Sequence, residues 1–583
     1  MTLSDTFRLE PYEKINKIVD LKTAVARHVK EGMSLYISRS AEAAAAEVIR
    51  QFWNSKSPFT LMMNLPGGAQ AMCLMHRGLV KKLIFTTCAD LYPSPSPNPI
   101  IQRAYREKKV EFENWSVLSF TQAFMAGALN LPFMPTLSIS GSAMADENNG
   151  AFTEIDDPFT GRKIGVVKRM NPDVALYHGW AADAAGNTIL APYGDDREWG
   201  AKAATGGVIV TVEKIVSTDY IREHSNMVKI PAYMVDAVCL APLGAHPRAM
   251  NSRGLPEFES YDVDVPFLEE FREAGKKPET LEQWVKEWIL DCKTHEDRLK
   301  KLGVERIYRL KGKTAKDSWQ YRLIQTQEEA STPKPCNNIE FAIVAASRKI
   351  KDIFIKGGFR AMFAGIGLGG LAAWLAYYAL KAEGREVYMV GAGIGFDPRP
   401  GDPLMSSSSN IATSRMLVDC VDIHGVAVGG VKKACLGILG AAQIDKHGNI
   451  NASKVSATTY IGGAGGSNDI ANGANEVVVI TKQKKDRFLD KVTYVTCAGT
   501  HVTTLISNLG IFEKNGGEFE LTHYFAADET QKTAMLKKIA ENCGWELKVA
   551  GNVQGVAAPT AEELTLLRSL DPEGIFIEDL KRI

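Results

Sequence analysis

Three glycine clusters crowd the second half of this 583-residue chain: Gly365-Ile-Gly-Leu-Gly-Gly370, Gly391-Ala-Gly-Ile-Gly395 and Gly462-Gly-Ala-Gly-Gly466. Glycine lets backbone N–H groups face a site and lets a ligand approach the main chain. The first cluster lies between a strand-like run, Arg360-Ala-Met-Phe-Ala364, and an apolar helical stretch. Its amides would sit at a helix N-terminus, where a phosphate or an oxyanion is stabilised. Gly365, Gly367 and Gly370 also spell G-x-G-x-x-G, but no acidic residue follows a second strand at the spacing a dinucleotide ribose requires. The pattern points to main-chain donors around a negative charge rather than to nicotinamide binding.

The elements that must position these loops are stated twice. Asp183-Ala-Ala-Gly-Asn187 and Asp445-Lys-His-Gly-Asn449 share the phrase D-x-x-G-N, nearly half the chain apart. Each follows an apolar run and precedes a β-branched one, Val208-Ile-Val-Thr-Val212 and Val477-Val-Val-Ile-Thr481. The first half opens with a helical stretch around Ile15 to Glu31, a strand at 32–38, and a helix from Ala41 to Trp53 that Ser40 can cap, with Glu47 and Arg50 on a wet side. Strands follow at 59–64 and 83–87. The second half restarts at Asn338 with the same order: helix, strand, loop, Ala-rich helix (Leu371 to Lys381), strand (Val387 to Val390). Alternating β and α patterns predict two related α/β domains with mostly parallel sheets, at 1–332 and 333–583. A helical extension at about 256–305 and a polar linker at about 305–335 are expected between them. The uncharged stretch from Ala361 to Leu380 reads as strand, glycine turn and helix start rather than as a membrane span.

Composition narrows the function classes. Lys plus Arg and Asp plus Glu both number 68, so no basic field exists to hold nucleic acid or an anionic membrane. Nine cysteines are scattered without C-x-x-C pairs or histidine partners, the pattern of reduced thiols in a cytoplasmic protein and not of a disulfide framework or metal site.

The stretches Gly440-Ala-Ala-Gln-Ile-Asp-Lys-His-Gly-Asn-Ile-Asn451, Gly462 to Gly466, Ala471-Asn-Gly-Ala-Asn-Glu476 and Pro559-Thr-Ala-Glu-Glu-Leu564 resemble the β subunit of family I CoA-transferases of the glutaconate type. Leu131-Pro-Phe-Met-Pro-Thr136, Asp157-Pro-Phe-Thr-Gly161, Asp183 to Asn187 and Gly244-Ala-His-Pro247 resemble the α subunit. The resemblance implies CoA thioesters as substrates, no bound cofactor or metal, a site between the halves, and a homodimer of fused chains in place of an α₂β₂ assembly. It also implies CoA-binding or oxyanion-stabilising roles for Gly365, Gly367, Gly369, Gly370, Gln443, Asn449, Gly463, Gly465 and Gly466.

One departure matters. In the transferases a strand-ending glutamate attacks the acyl-CoA and then carries CoA as a thioester. The corresponding place here reads Gly391-Ala392-Gly393, and the nearest acids are Glu383, Glu386 and Asp397. Family members without that glutamate hydrolyse a ring-bearing acyl-CoA or decarboxylate a glutaconyl-type one, and this chain resembles them on that point. Such chemistry needs donors at an enolate oxygen and an acid–base group. The resemblance implies an α-half glutamate for the latter: Glu113 first, Glu111 second, on one strand face with Trp115. His178 and His246 are further candidate acids; Arg39, Ser406 and Ser407 are candidates for a substrate carboxylate. A genuine CoA-transferase and a non-catalytic acyl-CoA-binding protein are the alternatives.

Overall fold

The computed structural model describes residues 15–64, 71–91, 95–191, 198–315, 318–391, 395–398, 408–526 and 529–578. In the first half, helix α1 (Leu21–His28) leads to strand β1 (Ser34–Ile37), helix α2 (Glu42–Phe52) and strands β2 (Phe59–Met63), β3 (Val80–Phe85) and β4 (Glu111–Asn114). Helix α3 (Val117–Ala128) and strands β5 (Val174–Ala182), β6 (Val208–Ile215) and β7 (Ala237–Leu240) complete the frame. The neighbours run β5-β1-β2-β3-β4, with β6 and β7 beyond β5, all parallel. A parallel sheet must be covered on both faces, and β5 is buried at all nine residues.

Between the halves lie α4 (Val265–Gly275), α5 (Pro278–Val285), α6 (His295–Leu302), α7 (Val304–Gly312) and α8 (Ser318–Ser331). The polar stretch expected as a linker is therefore largely helical, and α8 packs against the second half's last helix. Its polarity marks exposed helix faces, not absence of structure. A second correction concerns α2. Glu47 is buried and Arg50 half-buried, and the two pair with each other at 2.6 Å. Nor does Ser40 cap α2: the cap position is Ala41, and the Ser40 hydroxyl bonds to the His178 carbonyl at 3.2 Å. The opening helical stretch is shorter than expected, beginning at Leu21 after an Asp20 cap.

The extension sits on a buried ionic cluster. His246 Nε2 lies 2.9 Å from Asp264 Oδ2, and Arg298 Nη2 lies 3.2 Å from His246 Nδ1. An arginine can only donate, so Nδ1 accepts and Nε2 carries the proton. Burial pushes His246 down to about 4, outweighing its bond to Asp264. Despite burial, His246 and Arg306 hold the Asp264 carboxyl well below its ordinary range. An unfolded histidine titrates near 6.5, so the unfolded chain binds more protons between the two values. This contribution is fully present above about 6.5 and is lost as pH falls through about 4. The urea midpoint is expected to fall over that window by about 2–3 kcal/mol of unfolding free energy, and a flat profile would remove His246 from the account.

The second half repeats the order: α9 (Asn338–Lys356), β8 (Ala361–Ala364), α10 (Leu368–Ala382), β9 (Tyr388–Gly391), the short β10 (Gly395–Phe396) and β11 (Met416–Leu417), β12 (Cys435–Gly440), α11 (Ser467–Gly473), β13 (Glu476–Ile480), β14 (Val502–Ile506) and α12 (Ala561–Leu570). The sheet runs β11-β10-β9-β8-β12-β13-β14, parallel from β9 to β14, and continues past β14 through three more strands at Gly510–Asn515, Glu518–Tyr524 and Lys548–Gly555. Even a detail recurs: after β1, Ser38 N–H donates to Leu176 O at 3.0 Å, and after β8, Gly365 N–H donates to Ile438 O at 2.9 Å. The Ala361–Leu380 stretch is β8, a turn and α10. Among the described residues no helix is long and apolar enough to cross a membrane.

Candidate active site

The D-x-x-G-N phrase builds the same turn twice. Asp183 Oδ1 accepts from Gly186 N and Asn187 N, and Asn187 Nδ2 returns to Asp183 Oδ2 at 2.9 Å. Asp445 Oδ1 accepts from His447 N and Asn449 N, and Asn449 Nδ2 returns to Asp445 Oδ2 at 3.1 Å. The glycines take φ of +108° and +83°, which side chains avoid. Each asparagine Oδ1 then accepts from a distant backbone, Ala232 N or Gly499 N. Asn449 is therefore fully engaged in the fold. So is Gln443, which donates to Asp486 O and accepts from Asn451. The structure shows a scaffold role for both residues.

The third glycine cluster joins the halves. Gly462 O accepts from Cys88 N at 2.6 Å, Gly465 N donates to Thr86 O at 2.9 Å, and Gly465 O accepts from Val117 N at 3.0 Å. Asn114 Oδ1 accepts from Ala464 N at 3.0 Å while its Nδ2 donates to Thr86 O at 2.7 Å. The loop therefore lies against the carboxyl ends of β3 and β4, the edge where open α/β sheets bind ligands. Gly463 and Gly466 provide close approach: a Cβ on Gly463 would lie 2.7 Å from Thr86 O, and one on Gly466 would lie 2.4 Å from the His424 ring, whereas Gly465 supplies a φ of +52°. Asn114, next to the expected Glu113, is the seam residue that sequence reasoning missed; no local signal distinguishes it from a strand-edge asparagine.

Deeper in the seam, the wholly buried Asp469 accepts from Leu118 N at 3.0 Å and from Ser138 Oγ at 2.6 Å. Asn468 Oδ1 accepts from Ile139 N, and Arg253 donates to Ile411 O. Burial raises the Asp469 carboxyl above its ordinary range, outweighing His424 and the donors.

The first two clusters occupy adjacent strand ends of the second sheet. Gly365, Gly367, Gly369 and Gly370 carry the chain from β8 into α10, whose N-terminus has no side-chain cap. Gly370 is needed because a Cβ there would lie 2.8 Å from Gly365 O. Gly391 ends β9, next to β8. Ala392, Ser406 and Ser407 lie outside the described residues. Arg39, half-buried in the turn after β1, stands in the first half where Ile366 stands in the second.

Glu113 lies on β4, the edge strand, with Oε2 2.5 Å from Lys82 Nζ and Oε1 accepting from the Trp115 indole at 2.8 Å. Glu111 shares Lys82 at 2.8 Å and is largely exposed. His178 is buried between Thr211 and Glu213, each at 2.9 Å, and Glu213 also accepts from Leu243 N and the Tyr261 hydroxyl. Burial would raise Glu213, but these donors bring it below its ordinary value. That network braces β5 and β6 from within. Among the described residues no three His, Cys, Asp or Glu side chains are grouped to hold a metal ion, and all nine cysteines are free.

A family model described as coenzyme A transferase matches residues 18–241 and 430–518. The chain belongs to the coenzyme A transferase family. It is an enzyme in which the A-type and B-type polypeptides, separate in glutaconate and 3-oxoadipate CoA-transferases, are joined. The A-type polypeptide of glutaconate CoA-transferase from Acidaminococcus fermentans is 32% identical over 328 residues, 51% of this chain and 95% of that one. The B-type polypeptide of 3-oxoadipate CoA-transferase from Pseudomonas knackmussii is 31% identical over 252 residues, 40% of this chain and 92% of that one. An acyl-CoA transferase structure from Escherichia coli O157:H7 (YdiF) covers 94% of this chain and 96% of its own, with a TM-score of 0.62 at 14% identity, a likeness of fold. The CoA-transferase fold thus accounts for the duplicated sheets and for the seam between them.

Proposed function

We propose that this CoA-transferase-family enzyme acts on a carboxylated or cyclic acyl-CoA by decarboxylation or hydrolytic ring opening, with no CoA carried covalently on β9. The observation that carries this reading is Gly391 at the strand end where a nucleophilic carboxylate is expected. Glu383 and Glu386 are exposed, before the strand, and Glu383 pairs with Lys351 at 2.6 Å. The uncapped amides of the Gly365–Gly370 turn suit an enolate oxygen. Arg39 suits a substrate carboxylate, and Glu113 is the acid–base candidate. No metal or bound cofactor is invoked, and the assembly proposed is a homodimer of fused chains, which sedimentation at micromolar concentration tests.

The test is to incubate the protein with an acyl-CoA and acetate and reduce with borohydride. No enzyme carboxyl is expected to be converted to an alcohol; a labelled carboxyl would sink the reading. Glu113→Gln is expected to lower kcat by about 10²–10⁴-fold with the unfolding midpoint nearly unchanged. Unaltered turnover would return Glu113 to its ion pair with Lys82 alone.

A second reading is favoured by the relatives themselves. Those matching the two halves are transferases, and transfer through a carboxylate elsewhere in the chain would give the labelled carboxyl described above.

A further inference from the structure

We propose that Pro398 occupies the volume a side chain at position 391 would need, so that the Gly391–Pro398 pair bars an acyl-carrying carboxylate from the end of β9. The inference rests on the reading above and deepens it: the missing carboxylate is excluded by packing as well as by sequence. Gly391 does not lie in the left-handed region, so its backbone would accept any residue. The obstacle is spatial. A Cβ built there lies 2.8 Å from Pro398 Cγ and 3.2 Å from Pro398 Cδ. A proline ring cannot rotate aside as a long side chain can.

Pro398 is held by its neighbour. Asp397 has φ of +54°, a conformation uncommon for a residue with a side chain and kept only where surroundings fix it. Its N–H donates to Met389 O at 2.7 Å, inside β9. Its buried carboxylate accepts from the Tyr377 hydroxyl of α10 and pairs with Arg415 Nε at 3.0 Å, just before β11. Strand β10 closes the hairpin by pairing Gly395 with Gly391. Four elements thus converge to aim one proline ring at one glycine. Asp397, the sequence-nearest acid beyond the glycine loop, positions that ring and does not stand in for the nucleophile.

In the transfer reaction a carboxylate oxygen attacks the thioester carbonyl, the C–S bond breaks, and CoA leaves as thiolate to give a mixed anhydride. The thiolate then attacks the enzyme-derived carbonyl, the acyl group departs as a carboxylate, and CoA remains as an enzyme thioester. Restoring that sequence on β9 requires a carboxylate at 391 and room for it.

Two measurements on the full chain test this. The first is a double-mutant cycle on the unfolding equilibrium. Gly391→Ala is expected to lower the folding constant at least tenfold in the wild type and less than threefold beside Pro398→Ala, which removes the two clashing atoms. Equal losses in both backgrounds overturn the proposal. The second compares Gly391→Glu with Gly391→Glu/Pro398→Ala after exposure to acetyl-CoA and borohydride, read as the mass loss of a carboxyl reduced to an alcohol. Trapping is expected in the double variant only, and trapping to the same extent with and without Pro398, at any level, overturns the proposal. A labelled carboxyl in the wild-type protein overturns the preceding functional reading instead, and the stability cycle still decides this one.

Discussion

Gly463→Ala is expected to unseat the two halves, lowering stability by more than about 4 kcal/mol. Its φ of +104° disfavours any side chain, by about 1–2 kcal/mol. The added Cβ would meet Thr86 O at 2.7 Å and Asn114 Nδ2 at 2.8 Å, two groups already bonded to each other. Neither can yield without losing that bond, so the loop must lift. Lifting it breaks the bonds from Cys88 N, Gly465 N, Val117 N and Ala464 N, each worth about 1 kcal/mol net and more when a buried group is left unpaired. Against a typical total of about 5–15 kcal/mol, such a loss is large. Urea denaturation measures it, and limited proteolysis at the seam should rise in parallel. A midpoint within about 1 kcal/mol of the wild type would show that the loop relaxes without leaving its seat.

Asp469→Ala is the second large expectation, with a loss of about 3 kcal/mol. It leaves Leu118 N and Ser138 Oγ without their acceptor inside the seam, at about 1–3 kcal/mol for each stranded group. Asp469→Asn keeps one acceptor oxygen and gains a donor toward Ser138, so its loss should be nearer 1 kcal/mol. The pH dependence separates the two effects. Because burial raises the folded carboxyl, its favourable term is fully present below about 3.8, the unfolded value, and is lost as pH rises through the folded one. The asparagine variant has no such titration, so its deficit relative to wild type should shrink as pH rises from about 4. A deficit independent of pH would remove the buried carboxyl as its cause.

Much of the frame was legible because it is written locally. An Asp followed at fixed distance by Gly and Asn closes its own turn, so the phrase at Asp183 and Asp445 announced two copies of one fold. Apolar runs at strand length and Ala-rich helical runs placed the alternating elements to within a few residues. The candidate site was less legible. Asn449 and Gln443 stood out because the motif containing them matches the family; that each also bonds to a distant segment was not written in that motif. Glu47 and Arg50 looked solvated, yet Glu47 is buried and Arg50 half-buried as they pair.

The sequence alone determined the duplication, the mostly parallel sheets, the family, and the absence of a carboxylate at Gly391, because these depend on residue identity and on contacts between near neighbours in the chain. The tertiary structure alone decided that Gly462–Gly466 seats on Asn114 and Thr86, that Asp469 is buried between the halves, and that Pro398 fills the space beside Gly391. Each of these is a close approach between segments whose meeting is fixed by the packing of whole sheets, and no spacing rule along the chain encodes it.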